Sequence, residues 1–536
     1  MSPVARPVVV AIDLGTSGCR AAAFDETGAC AAEAQVTYPT RSPQPGWVEQ
    51  DPSEWWQAVV TAFRQMLQGL GDPQRIAGIS LTAQMAGLVL VGRDGRPLAP
   101  ALPWMDVRAV AEAGLVEETF GGWQLYERTG CPPRPHYSLP KLLWFKRGAG
   151  GSRSAGSPGP GPGASAAGNP WENVGWCFSP KDYVCWRLTA EPLTDPSTAG
   201  ATQLMNVATR DWDDELLRWL ELPRERLPRV VPSVTAVPLR PEAAAELGLA
   251  GPPASLSVIV GAGDGVCANL GAGAAAVGMA TCNVGTSAAV RVVTAGPAPD
   301  PAMRTALYPS ADQLWVSNLA TNNAGAVLAW FAEAFYDDRS AVERLLGEAA
   351  AVAPGADGLL FLPYVFGERS PAFMPPGLAR FVGVSAGHRR AHFARAVVEG
   401  TAFVVRSLLE VLQQTVPLAA LTVTGRVSTA ALYRQILADV TGLAVRGTAE
   451  TGRETGLGAA VLGWVALGRW SSLVDAVQHM VRLTEPMPPV PEHQAAYEQC
   501  YRAFREGRET LLAGLRPGED GSGREPRFQG AGGAKS

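Results

Sequence analysis

The chain has 536 residues, 47% of them apolar and 18% charged, with a net charge of −5. That length exceeds what one hydrophobic core serves and predicts two domains, while the mild acidity argues against nucleic acid or an anionic membrane surface as a partner. Eight cysteines stand scattered without Cys-x-x-Cys spacing, a pattern of reduced thiols in a cytoplasmic protein rather than of a disulfide framework or a zinc site.

The first apolar run, Val8 to Ile12, is short and stops at Asp13, so no signal peptide is read. Residues 8–24 predict a β-hairpin: a β-branched run, a Gly15-Thr16-Ser17 turn, and a return through Arg20 to Phe24. Asp51-Pro52-Ser53-Glu54 ahead of Trp55-Trp56 opens a helix whose 3.6-residue period runs to Leu70. Strands are expected at 76–81 and 88–91, and this alternation predicts an α/β fold. Residues 148–169 are almost entirely Gly, Ser, Pro and Ala, the composition of a flexible surface insertion.

The first domain is expected to span 1–256 and the second 257–505. A strand at 258–260 leads into Gly261-Ala262-Gly263-Asp264-Gly265, and helices are expected at 324–335, 388–414, 429–441 and 456–467, with a strand at 419–423. The apolar stretch at 258–280 is broken by Asp264 and Asn269 and is rich in glycine, so it predicts no membrane span. Residues 506–536 read as a largely disordered C-terminal extension.

Two stretches echo one another. Val8 to Gly18 and Met279 to Ala289 are each an apolar strand, a Gly-Thr-Ser turn and a return to apolar residues. One such turn, Gly15-Thr16-Ser17 or Gly285-Thr286-Ser287, is commonplace. A pair suggests two related halves facing one ligand, with N–H groups and hydroxyls set for phosphate oxygens. Asp13, just before the first turn, reads as a carboxylate for a magnesium ion or as a cap on its own turn. Asp264, flanked by glycines at a strand end, reads as a base for a hydroxyl in phosphoryl transfer or as another turn aspartate.

Trp104, Asp106 and Arg108 would share one face of an extended stretch, serving a polar ligand or an interdomain salt bridge. Asn322-Asn323 reads as a helix N-cap or as donors to ligand hydroxyls. Glu368-Arg369-Ser370-Pro371 reads as a structural loop. His388 and His392 lack a third ligand and read as a solvated helix face. No Walker-type Gly-x-x-x-x-Gly-Lys is present, which disfavours a P-loop kinase.

Taken in order, the chain resembles the FGGY carbohydrate kinase family. The resemblance rests on Ile12 to Ser17, Gln44 to Pro52, Trp104 to Arg108, Gly263 to Gly265, Gly285 to Ser287, Gly367 to Pro371, Arg395 to Gly400 and Leu457 to Ala460. It implies the two-domain actin-like ATPase (ribonuclease H-like) fold, with duplicated halves around a cleft. It also implies phosphorylation of a sugar or sugar-acid hydroxyl by ATP with Mg2+. By position it makes Asp264 the catalytic base, Asp13 the residue near magnesium, the two Gly-Thr-Ser turns the phosphate hairpins, and Gly425 with Arg426 part of the adenosine segment. The family usually has Gly-Gly there, and an arginine in place of the second glycine would crowd the nucleotide or stack on it.

Gly265 to Gly271, Asn322 to Gly325, Ser179 to Tyr183 and Arg434 to Val440 look like gluconokinases. Gln84-Met85-Ala86-Gly87 looks instead like the xylulokinase Gln-Met-His-Gly segment, with Ala86 in place of the histidine of the sugar site. The resulting expectation is a gluconate kinase, with a xylulose or related ketose kinase and a non-catalytic sugar- or nucleotide-binding protein as alternatives. Gln84, Met85, Ala86, Trp104, Asp106, Arg108, Asn322 and Asn323 are the expected substrate contacts. A homodimer is compatible with this reading.

Overall fold

The computed structural model describes residues 6–148, 169–249 and 256–515. The β-branched run at the N-terminus forms β1 (Val8–Leu14), which turns through Gly15 to Ser17 into β2 (Gly18–Asp25), with Leu14 opposite Cys19 and Val8 opposite Asp25. β3 (Cys30–Thr37) continues the meander as the sheet edge, its residues alternating between half-buried and exposed. Asp51 caps α1 (Pro52–Leu70) by accepting from Ser53 N–H, and Trp55, Val59, Phe63 and Met66 bury one helical face against the sheet.

β4 (Ile76–Ala83) lies parallel to β1. A long excursion follows, including α2 (Ser138–Lys146) and α3 (Pro180–Thr189), before β5 (Ala236–Pro238) and β6 (Ser257–Gly263) complete a sheet in the order β5-β6-β4-β1-β2-β3. α4 (Asp264–Gly271) leaves directly from β6.

The second sheet repeats the plan. β7 (Met279–Val284) turns through Gly285 to Ser287 into β8 (Ala288–Thr294). β9 (Ala306–Pro309) and β10 (Trp315–Thr321) add antiparallel strands beyond β8. After α5 (Gly325–Tyr336) and α6 (Arg390–Gln413), β11 (Ala420–Thr424) runs parallel to β7; α7 (Ala431–Thr441) follows, and β12 (Val445–Gly447) runs parallel to β11. The strands β3, β2, β1, β4 and β6 thus correspond in order and direction to β10, β8, β7, β11 and β12. The duplication expected from the two Gly-Thr-Ser turns is a duplication of whole sheets.

Two features depart from the expected division at 256/257. β6 begins there, yet it pairs with β4 inside the first sheet. α8 (Glu454–Ala466), which follows the last strand of the second sheet, returns to pack on α4, β1 and β4 of the first. Hydrophobic pairing explains both: Val258, Ile259 and Val260 are fully buried, and Leu457, Val461 and Leu462 join Val9, Ala11 and Phe24 in one cluster. α9 (Pro491–Ala513) runs past Arg505, so residues 506–513 are helix rather than disordered extension. The remainder of that extension and most of the Gly/Pro-rich insertion lie outside the described residues. All eight cysteines are free thiols, and among the described residues no helix is long and apolar enough to cross a membrane.

The α4–α8 contact is close because glycines make it. A Cβ at Gly458 would run into the Cys267 carbonyl, and one at Gly271 into the Glu454 carbonyl. Gly458→Ala should therefore cost about 1–3 kcal/mol of stability by overpacking, read as a lower urea midpoint with unchanged slope.

Candidate active site

The first Gly-Thr-Ser turn is anchored on all sides. Gly15 N–H donates to Gly18 O at 2.9 Å, the Tyr38 hydroxyl donates to Gly15 O, and Gln50 Nε2 donates to Thr16 O at 2.7 Å. Gln84 N–H donates to Leu14 O at 2.9 Å, and its side chain donates to Gln50 Oε1 at 3.0 Å. Gln84 is thus a buried strut of the turn. Trp104 Nε1 donates to Thr16 Oγ1 at 3.1 Å, while the Ser17 side chain stays exposed.

The second turn is built differently. Gly285 N–H donates to Ser287 O at 3.0 Å, and the first amides of α5 close on the turn: Gly325 N–H donates to Gly285 O at 3.0 Å and Ala326 N–H to Thr286 O at 2.9 Å. Gly285, Thr286 and Ser287 are exposed. Gly425 crosses behind with φ +89°, and a Cβ there would run into the Val284 carbonyl, so this position requires glycine. Asn283 Nδ2 donates to Thr424 Oγ1 at 2.9 Å and ties the two strand ends together. Arg426, next in the chain, is exposed; its carbonyl accepts from the Thr429 hydroxyl at 2.8 Å, and its side chain makes no hydrogen bond or ion pair among the described residues.

The two aspartates lie near enough to one another for their charges to interact. Asp13 lies in β1 opposite Arg20, and Asp264 is the first residue of α4, its Oδ1 accepting from Gly265 N–H at 2.7 Å. Burial pushes the Asp13 carboxyl up to about 7, the like charge of Asp264 adds to this, and Arg20 opposes it. Burial also raises Asp264, against the pull of Arg291 and the Gly265 amide. Arg291 comes from β8 in the second sheet, and its Nε would lie 3.2 Å from a Cβ at Gly265. The second half therefore supplies the cation beside the Asp264 carboxylate.

The other expected contacts divide. Met85 lies against Gly263, just before Asp264. Met85 and Ala86 join Cys131, Tyr137, Ala201, Trp104 and Tyr308 in a small cluster. Ala86 holds φ +57°, and the buried Lys141 ammonium donates to its carbonyl at 3.1 Å and to that of Pro103 at 2.8 Å. Asp106 and Arg108 do not join Trp104. Asp106 N–H donates back to Pro103 O, so the segment turns instead of extending, and the alternation that would have put all three on one face is lost. Arg108 instead lies over the Trp47 ring at 3.9 Å and pairs with Asp106 at 2.8 Å and Glu49 at 2.9 Å, a buried knot within the first half. It is neither an interdomain salt bridge nor a free cation.

Neither Asn322 nor Asn323 caps α5, whose N-cap is Ala324. Asn323 is buried and donates to Gly367 O at 2.6 Å, accepts from Phe366 N–H at 3.2 Å and approaches Glu368 at 3.3 Å; Asn322 donates to Phe366 O at 3.3 Å. These contacts hold the loop that carries Arg369. His392 faces Asp357 at 3.2 Å, and among the described residues no group of three metal-binding side chains forms.

Sequence reasoning missed Arg134, His136, Tyr137, Arg291 and Tyr308. The available signal was Cys131-Pro132-Pro133-Arg134-Pro135-His136, where three prolines stiffen a segment bearing two basic side chains. His136 is held well below its usual range by burial and by the positive charges of Lys141, Arg134 and Arg369, so it is a neutral imidazole in a cationic field.

Comparison with known proteins agrees with this arrangement. The model of the N-terminal domain of the FGGY family of carbohydrate kinases matches residues 8–271, and that of the C-terminal domain matches residues 280–467. A gluconokinase of Bacillus subtilis is 29% identical over 508 residues, covering 92% of this chain and 94% of that protein. A xylulose kinase of Klebsiella pneumoniae is 32% identical over 465 residues, covering 85% and 90%. The crystal structure of a gluconate kinase from Lactobacillus acidophilus superposes with a TM-score of 0.85 at 27% identity, covering 95% of this chain and 99% of that one. This chain therefore belongs to the FGGY family of carbohydrate kinases, phosphotransferases with an alcohol group as acceptor, built on the two-domain actin-like fold.

Proposed function

We propose that the protein transfers the γ-phosphoryl group of ATP to the terminal hydroxyl of gluconate, giving 6-phosphogluconate. The observation that carries the transfer is the position of Asp264: a half-buried carboxylate at a strand end, near enough to Asp13 for the two charges to interact, with Arg291 of the second half beside it. Asp264 Oδ accepts the hydroxyl proton as that oxygen bonds to the γ-phosphorus and the bond to the β-phosphate oxygen breaks, releasing ADP. Burial raises its proton affinity in the free protein, which suits an acceptor. The exposed hydroxyls of Thr286 and Ser287 and the Ser17 hydroxyl are free to hold phosphate oxygens.

Mg2+ fits this site. The Asp13 carboxylate makes no hydrogen bond or ion pair among the described residues, is half-buried, and lies near a second carboxylate, a pair of hard oxygen ligands whose mutual repulsion a cation would relieve. Bound there, the ion would neutralise charge on the phosphates. Asp13 is the residue that would hold it, directly or through water.

Gluconate is favoured as acceptor by the gluconokinase and gluconate kinase likenesses; Ala86 in place of the xylulokinase histidine speaks against a ketose but is not the usual gluconokinase residue either. A ketose acceptor is the second reading, favoured by the Gln84-Met85 segment and the xylulose kinase likeness.

Asp264→Asn should lower kcat about 10²–10⁴-fold with thermal unfolding unchanged; wild-type turnover would remove Asp264 from the mechanism. ADP release measured across gluconate, xylulose, ribulose and glycerol should be highest with gluconate, and a preference for xylulose would transfer the assignment to the ketose reading.

A further inference from the structure

Two arginines, Arg134 and Arg369, lie near the apolar cluster with no salt-bridge partner among the described residues, the Glu368 charge acting on Arg369 only at a distance. Arg134 is half-buried and makes no hydrogen bond or ion pair among the described residues. Arg369, also half-buried, has its Nε sealed from water without a partner. The carboxylate next to it in sequence is already committed: Glu368 accepts from Thr321, from Arg369 N–H at 2.8 Å, and lies 3.3 Å from Asn323. Arg134 and Arg369 are close enough that the charge of Arg134 opposes protonation of Arg369, and both oppose protonation of His136. Arg291, in contrast, has Asp264 as its counter-charge.

The placement of these groups is ordered. Met85 abuts Gly263 at the Asp264 end. Met85, Tyr137, Tyr308 and Trp104 form the apolar cluster next to it. Arg369 stands over the Trp104 ring at 5.8 Å, and Arg134, three residues before Tyr137 in the chain, lies near enough to the Tyr137 and Tyr308 hydroxyls for its charge to act on both. A like-charged, partly desolvated arginine pair is costly without an anion. The guanidinium fork matches a carboxylate in shape and charge.

We propose that Arg134 and Arg369 bind the carboxylate of an acyclic sugar acid whose distal hydroxyl lies at Asp264. This rests on the reading of the protein as a sugar-acid kinase and names the residues that select the acid. A neutral ketose would leave both guanidinium groups unpaired. Because Arg134 belongs to the first half and Arg369 to the second, the carboxylate would be held from both sides of the molecule.

The test is steady-state kinetics of the full chain with MgATP on Arg134→Gln, Arg369→Gln and Arg134→Lys, with ADP affinity measured on each by calorimetry. Each glutamine variant should lose ~10–100-fold in kcat/KM for gluconate, the factor that corresponds to one lost hydrogen-bonded charge contact, through KM, while ADP affinity holds. Arg134→Lys, which keeps the charge, should recover part of the loss. Gluconate kinetics within about threefold of wild type in both glutamine variants would overturn the carboxylate site and leave the gluconate reading standing. Parallel losses of gluconate turnover and ADP affinity would also overturn it, as a general structural defect. A wild-type protein that phosphorylates xylulose and not gluconate would overturn both.

Discussion

The position of Asp264 depends on a backbone contact. α4 starts with that aspartate, and its far end is pressed against α8 so tightly that Gly271 and Gly458 each face a carbonyl of the other helix. No side chain fits there. The contact fixes the axis of α4, and so the direction in which β6 delivers the carboxylate. In close-packed interiors a displacement of this kind is not absorbed locally, and acid–base chemistry is lost with small misplacements of the reacting groups. The same helix pair joins the last helix matched by the family models to the first sheet, so the geometry of the Asp264 carboxylate is set by residues nearly two hundred positions further along the chain.

Charge is distributed along the site in a simple order. At the phosphate end stand two half-buried carboxylates, raised by burial and, for Asp13, by its neighbour. Arg291 is paired in charge with Asp264, while Arg369 over the Trp104 ring and Arg134 near Tyr137 form no salt bridge among the described residues. Each half of the molecule contributes to each zone: Asp13 and Asp264 are met by Arg291 from the second sheet, and Arg134 by Arg369 from the second-half loop. The loop is in turn held by Asn323 and Thr321. The asparagines thus act on the site through the loop they anchor.

Local signals carried much of this in the sequence. The apolar, β-branched runs and Gly-Thr-Ser turns located both hairpins, and Asp51-Pro52 located the start of α1, because strand pairing across a short turn and a helix cap are near-neighbour interactions. Asp264 was legible for a similar reason: strand, glycine, aspartate, glycine is a local pattern. What stayed hidden depends on contacts distant in sequence. The return of α8 to the first sheet leaves no periodicity to read, since α8 is apolar on nearly every side. The capture of Arg108 by Trp47 and Trp144 was invisible because an alternating pattern assumes an extended chain, and the Pro103 to Asp106 turn breaks it. Arg134 and His136 sat in a proline-rich segment that offers no element to place them on.

The return of α8 also has a consequence for how the protein is made. One face of the first sheet, with Val9, Ala11 and Phe24, is covered by Leu457, Val461 and Trp464, and the Trp464 indole donates to the Phe24 carbonyl across 440 positions of sequence. A ribosome that has synthesised the whole first sheet has therefore not yet supplied its lid. The nascent first half must wait, with an apolar face open, until almost all of the second half has emerged. Completion of the first half thus waits on α8, made late in synthesis, and the interval in which that face is bare is when aggregation competes and chaperone binding is most useful.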